Sequence, residues 1–164
     1  MAIHSATVAW TRDGATFTDQ KYSRAHEWRF DGGAVIRASS SPHVVPVPYA
    51  DASAVDPEEA FIAALSSCHM LFFLSLSAAA GFVVESYEDN AEGRLEANAA
   101  GKLAMTVVWL RPRALFADPR RPSADQLADL HHRAHERCFL ASSVLTTIEC
   151  DPVVESLELS GSCD

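Results

Sequence analysis

The chain has 164 residues and a formal net charge of -9, so it repels phosphate backbones and nucleic acid is excluded as a natural partner. Its 48% hydrophobic and 21% charged content is that of a globular domain, and the length fits one domain, residues 1–164, with a sizeable core. The four cysteines, Cys68, Cys138, Cys150 and Cys163, follow an opening from Met1 to Arg12 without a basic start and apolar run. With no export signal there, the thiols read as redox, metal or core residues, not a disulfide framework.

The stretch from Ile3 to Trp10 has the β-branched and aromatic content of a strand. Tyr22 to Phe30 and Ala34 to Ala38 form a hairpin pattern around Asp31-Gly32-Gly33. Residues 39 to 56, with Pro42, Pro46 and Pro48, read as an extended loop. An apolar segment follows, from Pro57 to about Gly81. Asp56 can cap it, Pro57 suits its first turn, and Glu58 and Glu59 favour the positive end of a helix.

Residues 60 to 84 contain no Asp, Glu, Lys or Arg, long enough for a membrane span. The central Ser66, Ser67, His69, Ser75 and Ser77 and the acidic flanks favour a buried core helix instead. Burial on all sides in so small a domain points to packing against a twin. Three strands of a meander are expected at Phe82 to Tyr87, Glu92 to Asn98 and Lys102 to Arg111. After Pro119 and Pro122, Ser123 and Gln126 form a capping-box pattern. The helix they open carries Leu127, Leu130, Ala134 and Cys138 at helical spacing. A strand pair, Val144 to Cys150 and Val153 to Leu159, closes the chain. The class is α+β with antiparallel sheets.

Cys68, in the middle of the apolar helix, is the residue on which function turns. Desolvation disfavours a thiolate, so a reactive Cys68 needs a cation brought to it. Arg24, Arg29 and Arg37 on the early strands are the candidates, since arginine stays charged when desolvated and a carboxylate can hold it. Glu58 is ten residues before Cys68 on the same helix, about 80° around the axis and ~15 Å along it, so it cannot serve that thiol directly. Cys138 could act as a resolving thiol. The alternative is that both cysteines fill the core. Cys150 reads as a core filler and the penultimate Cys163 as an exposed thiol. His131, His132 and His135, with Cys138 three residues on, could bind zinc, but the neighbouring Arg133, Glu136 and Arg137 favour a solvated helix face for the histidines.

The run from Asp56 to His69, opening Pro57-Glu58-Glu59 and ending Ser67-Cys68-His69, resembles the signature helix of the OsmC/Ohr family of osmotically inducible and organic-hydroperoxide-resistance proteins. The run from Gly81 to Tyr87 and that from Cys138 to Val144 also resemble the family, in the same order. The resemblance, to an OsmC-like branch, implies a thiol-dependent peroxidase for organic hydroperoxides; no cofactor or metal is expected. It implies an intertwined homodimer with sheets wrapped around a long buried central helix; the expected setting is cytoplasmic, with no membrane. Carried over by residue, Cys68 matches the peroxidatic cysteine, Cys138 the resolving one, and Glu58 the glutamate that holds an arginine. Arg24 best matches that arginine, with Arg37 as fallback. An external dithiol would reduce the disulfide. The chain departs from the family at Phe139, where proline is common, and in its long 39–56 loop. A non-catalytic binding protein on the same fold is the competing reading.

Overall fold

A computed structural model describes residues 1–153. The expected last strand, from Val153 to Leu159, lies outside the described residues apart from its first position, and so does Cys163. The described residues form two compact units, Met1–Phe61 and 62–153.

In the first unit, β1 (Ala6–Ala9), β2 (His26–Phe30) and β3 (Val35–Ala38) make an antiparallel sheet in that order. The β2–β3 turn closes as the Asp31-Gly32-Gly33 pattern predicts. Phe30 N–H donates to Ala34 O, Gly33 N–H donates to Phe30 O, and Gly33 takes φ +85°, a backbone that side chains resist. The following proline-rich stretch is irregular, with one bridge between Ala38 and Val55.

The helix α1 (Pro57–Ala79) starts where the sequence places it and runs into the second unit. Its start is a reciprocal cap: Glu59 N–H donates to Asp56 Oδ1 (2.8 Å) and Asp56 N–H donates to Glu59 Oε2 (3.1 Å). By length and composition α1 is apolar enough to cross a membrane, with a mean hydropathy of 1.8 over its most apolar window. Burial is nevertheless confined to one stripe, Leu65, His69, Phe73, Leu76 and Ser77. The all-round burial read from composition is therefore not met by the single chain: Ala64, Ser67, Leu71 and Ser75 are exposed on another face.

The second unit adds β4 (Val84–Asp89), β5 (Glu92–Ala97), β6 (Leu103–Leu110), β7 (Pro112–Phe116), α2 (Ala124–Arg137), a 3-10 turn (Ala141–Ser143) and β8 (Thr147–Cys150). The sheets are antiparallel as expected, with one exception: β8 pairs parallel to β6, placing Cys150 opposite Leu110. The meander is only partly realised. β5 pairs with β6, but β4 pairs with β7, a strand the sequence reading missed because it opens on Pro112. Helix α2 has its capping box, with Ser123 Oγ accepting from Gln126 N–H and Gln126 Oε1 from Ser123 N–H. Phe73 and Leu76 of α1 pack with Phe82, Phe116 of β7, and Leu130 and Ala134 of α2.

The α1 cap gives a direct test. Asp56→Ala removes one half of the reciprocal bond and should lower unfolding stability by about 1 kcal/mol, with Asp56→Asn retaining most of it, measured by urea denaturation.

Candidate functional site

Consecutive positions on a helix diverge by about 100°. Cys68 and His69 therefore lead to two different clusters, both within the second unit.

Cys68 is half-buried on the open side of α1. It lines a cavity of about 520 Å³ with Ala64, Ser67, Leu71, Phe72, Ser75, Phe139 and Leu140. Leu71 and Phe139 are 61% and 73% exposed, so the cavity is an apolar cleft open to solvent. The ring of Phe139 meets that of Phe72 edge to face, with centroids 5.1 Å apart. The residue standing where proline is common thus forms part of the wall.

Cys138 caps α2. It ends the apolar stripe Leu127, Leu130 and Ala134, and that periodicity delivers it 2% exposed against α1. Its thiol lies close enough to that of Cys68 for the two to interact, and its sulfur accepts from Ala141 N–H at 3.4 Å. Burial first, and then the Cys68 contact, push the Cys138 thiol up to about 11, so it holds its proton at neutral pH. Both cysteines are free. The helical spacing foresaw Cys138 as an inward residue; the contact between the two thiols is a tertiary fact that no spacing contains.

Arg24 and Glu58 lie in the first unit. The Arg24 guanidinium donates to the carbonyls of Gln20 (2.7 Å) and Tyr22 (2.5 Å) and lies 3.8 Å over the Tyr22 ring. Among the described residues it forms no ion pair with Glu58, whose carboxylate is half-buried. Arg29 pairs with Glu27 at 2.8 Å and Arg37 with Asp51 at 2.5 Å. Of the three candidate arginines, Arg24 alone has no carboxylate partner among the described residues.

The second cluster was not foreseen. His131 is 4% exposed, not on a solvated face as expected, and turns inward to His69, with His69 Nε2 and His131 Nδ1 3.0 Å apart. The expectation failed because the flanking Arg133, Glu136 and Arg137 outweighed a visible signal. His131 stands four residues after Leu127 and three before Ala134, on the apolar stripe itself. Phe73 stacks on the His131 ring at 4.2 Å. Cys150 is not a simple core filler: it is half-buried, with its sulfur 3.7 Å from His69 Nε2 and 3.9 Å from His131 Nδ1. His132 stays exposed and pairs with Glu136 at 3.5 Å.

Burial is the main cause of every shift in this cluster. It lowers His69 to about 4, helped by the charge of His135 and opposed by Asp89. It lowers His131 to about 3, helped by His69. It pushes Cys150 up to about 12, with Asp89 and Asp151 adding to it. Asp89 is itself held in place, accepting from Ser66 Oγ (2.5 Å) and from Arg111 N–H (2.7 Å).

Residues 50–152 match the family model described as OsmC-like protein. A solved OsmC-like protein of unknown function from Vibrio cholerae is 55% identical, with a TM-score of 0.92, covering 93% of this chain and 100% of its own. An organic hydroperoxide resistance protein from Legionella pneumophila has a TM-score of 0.68 at 14% identity, covering 94% of this chain and 98% of its own. One from Bacillus subtilis has a TM-score of 0.63 at 14% identity, covering 93% and 98%. At such identity these last two speak to the fold alone. No curated protein matches the chain.

Two measurements follow from this geometry. His69 and His131 titrate below their ordinary 6.5 when folded, so the unfolded chain binds more protons as pH falls from about 6.5 towards 4. Stability is therefore lost as pH falls through that window. The urea midpoint should drop between pH 7 and pH 5, and His131→Gln should flatten the drop. In the thiol pair, iodoacetamide at neutral pH should modify Cys68 well before the buried, protonated Cys138, as read by peptide mass spectrometry.

Proposed function

The chain belongs to the OsmC-like protein family, and from that premise we propose that it is a thiol-dependent peroxidase reducing organic hydroperoxides. The observation that carries this reading is the approach of the Cys68 and Cys138 thiols to each other at the edge of an open apolar cleft.

The roles follow from position. Cys68 faces the cleft, so it meets the peroxide. Its thiolate attacks one peroxide oxygen, the O–O bond breaks, and the alkoxide leaves as an alcohol after taking a proton. Cys68 becomes a sulfenic acid. Cys138 then attacks the Cys68 sulfur, a disulfide forms and water leaves. An external dithiol reduces the disulfide and is itself oxidised. Cys138 suits the second step because it already lies against its target; its proton must leave before its sulfur attacks, and it goes out with the sulfenic hydroxyl as water.

Activation of Cys68 is assigned to Arg24, oriented by Glu58. In support, Arg29 and Arg37 are committed to carboxylates while Arg24 has only carbonyls and an aromatic face. The exposed stripe of α1 supports a homodimer, with a second copy covering what the single chain leaves open. The setting is cytoplasmic. An apolar cleft with no lining cation among the described residues also favours a second reading, a binding protein for apolar ligands on the same fold.

Turnover of an alkyl hydroperoxide with a dithiol reductant decides between them. Wild type should turn over and Cys68→Ser should not. Cys138→Ser should consume one equivalent and stop as a dimedone-trappable sulfenic acid. Arg24→Met should lower kcat/KM by roughly 10²-fold, the scale of a lost preorganised charge. Wild type that is folded but inactive with several reductants would leave the binding reading. Along a series of n-alkyl hydroperoxides, each methylene buried is worth about 0.8 kcal/mol, so kcat/KM should rise roughly fourfold per methylene until the cleft is full. A flat series would remove the cleft from substrate recognition.

A further inference from the structure

We propose that His69, His131 and Cys150 form a zinc-binding site, separate from the Cys68–Cys138 pair, with its fourth coordination position open to a solvent-connected cavity. The three donors come from three elements, the middle of α1, the middle of α2 and the end of β8, and their ligand atoms all lie within 4.8 Å of one another.

The spacing matches a tetrahedral ion. Zinc is held about 2.0–2.1 Å from imidazole nitrogen and about 2.3 Å from thiolate sulfur, which at tetrahedral angles places two nitrogens about 3.3 Å apart and nitrogen and sulfur about 3.6 Å apart. The separations here are 3.0 Å between the nitrogens and 3.7 and 3.9 Å from them to sulfur. An ion could be taken up with shifts of a few tenths of an ångström. Two imidazoles and a thiol are also the ligand types that zinc favours over magnesium or calcium, which take oxygen.

The atom of His69 that faces the site is Nε2, which lies against His131 and Cys150; its Nδ1, on the far side of the ring, has no partner among the described residues and takes no part in coordination. Access is provided as well. A cavity of about 300 Å³ is lined by His131 and Cys150 together with His132, His135 and Pro152, so the donors are reached from solvent past two further histidines. Charge is also balanced. Zinc with one thiolate carries a net single positive charge, and the Asp89 carboxylate is close enough to act on both His69 and Cys150.

Binding must release a proton. The Cys150 S–H bond breaks, its electron pair forms the zinc–sulfur bond, and the proton passes to solvent, with no change of oxidation state. Three protein ligands plus an open position is the arrangement of reactive zinc centres, as opposed to closed structural ones.

Cobalt(II) tests the site, because cobalt coloured by a thiolate ligand reports the bond directly. Reduced, chelator-stripped protein should bind one equivalent of cobalt, with a thiolate charge-transfer band and tetrahedral d–d bands, and zinc should displace it. One proton should be released per zinc bound at pH 7. A variant whose only cysteine is Cys150, made as Cys68→Ser, Cys138→Ser and Cys163→Ser together, should keep the band. Cys150→Ser should lose it, and His131→Gln should weaken cobalt binding by more than about 100-fold. Wild type that takes up no stoichiometric cobalt overturns the proposal. So does a thiolate band that survives in Cys150→Ser or vanishes in the variant keeping Cys150 alone. The result is independent of peroxide turnover, so either reading can fail without the other.

Discussion

One helix carries the second unit's chemistry, and its burial is one-sided. Phe73 and Leu76 of α1 anchor it against Phe116 and the apolar stripe of α2, and that contact fixes the rotation of the helix about its axis. Once the rotation is set, Cys68 has to face the open cleft and His69 has to face the interior. A slip of one residue would put Cys68 in the place of His69 and carry the imidazole about 100° further around the axis, away from His131. The separation of the two clusters is thus a consequence of apolar packing, not of any polar contact within them.

Helix α2 answers that arrangement with the same economy. Its stripe of Leu127, Leu130, Ala134 and Cys138 is continuous with His131, so packing against α1 brings a histidine to His69 and a cysteine to Cys68 in a single docking event. Burial then does the electrostatic work. It keeps both imidazoles neutral and keeps the Cys138 and Cys150 thiols protonated.

Much of this was legible in the sequence. Asp56 and Ser123 marked both helix starts, because capping is local and its residues are adjacent. The Asp31-Gly32-Gly33 turn was legible for the same reason. The pairing of β4 with β7 and the parallel approach of β8 to β6 were not, since they depend on contacts across many residues and on where α2 leads the chain. Cys150 was misread for that reason: nothing near it in sequence indicates that β8 ends beside two buried imidazoles. Cys68 and Cys138 were singled out by a family pattern and by periodicity, but their contact comes from the docking of two helices.

The cap position of Cys138 has a mechanical meaning. Cys68 is held in the middle of a long helix, its backbone fixed by bonds on either side. Cys138 has already left helical geometry, at φ -66° and ψ 112°, and is tied back by its N–H to His135 O. A disulfide demands a sulfur–sulfur distance of about 2.05 Å, far shorter than any contact between two free thiols. In the proposed disulfide the gap closes from one side: the rigid helix is the anvil, and the sulfur that must travel sits on the stretch of chain that can give way without unwinding a turn.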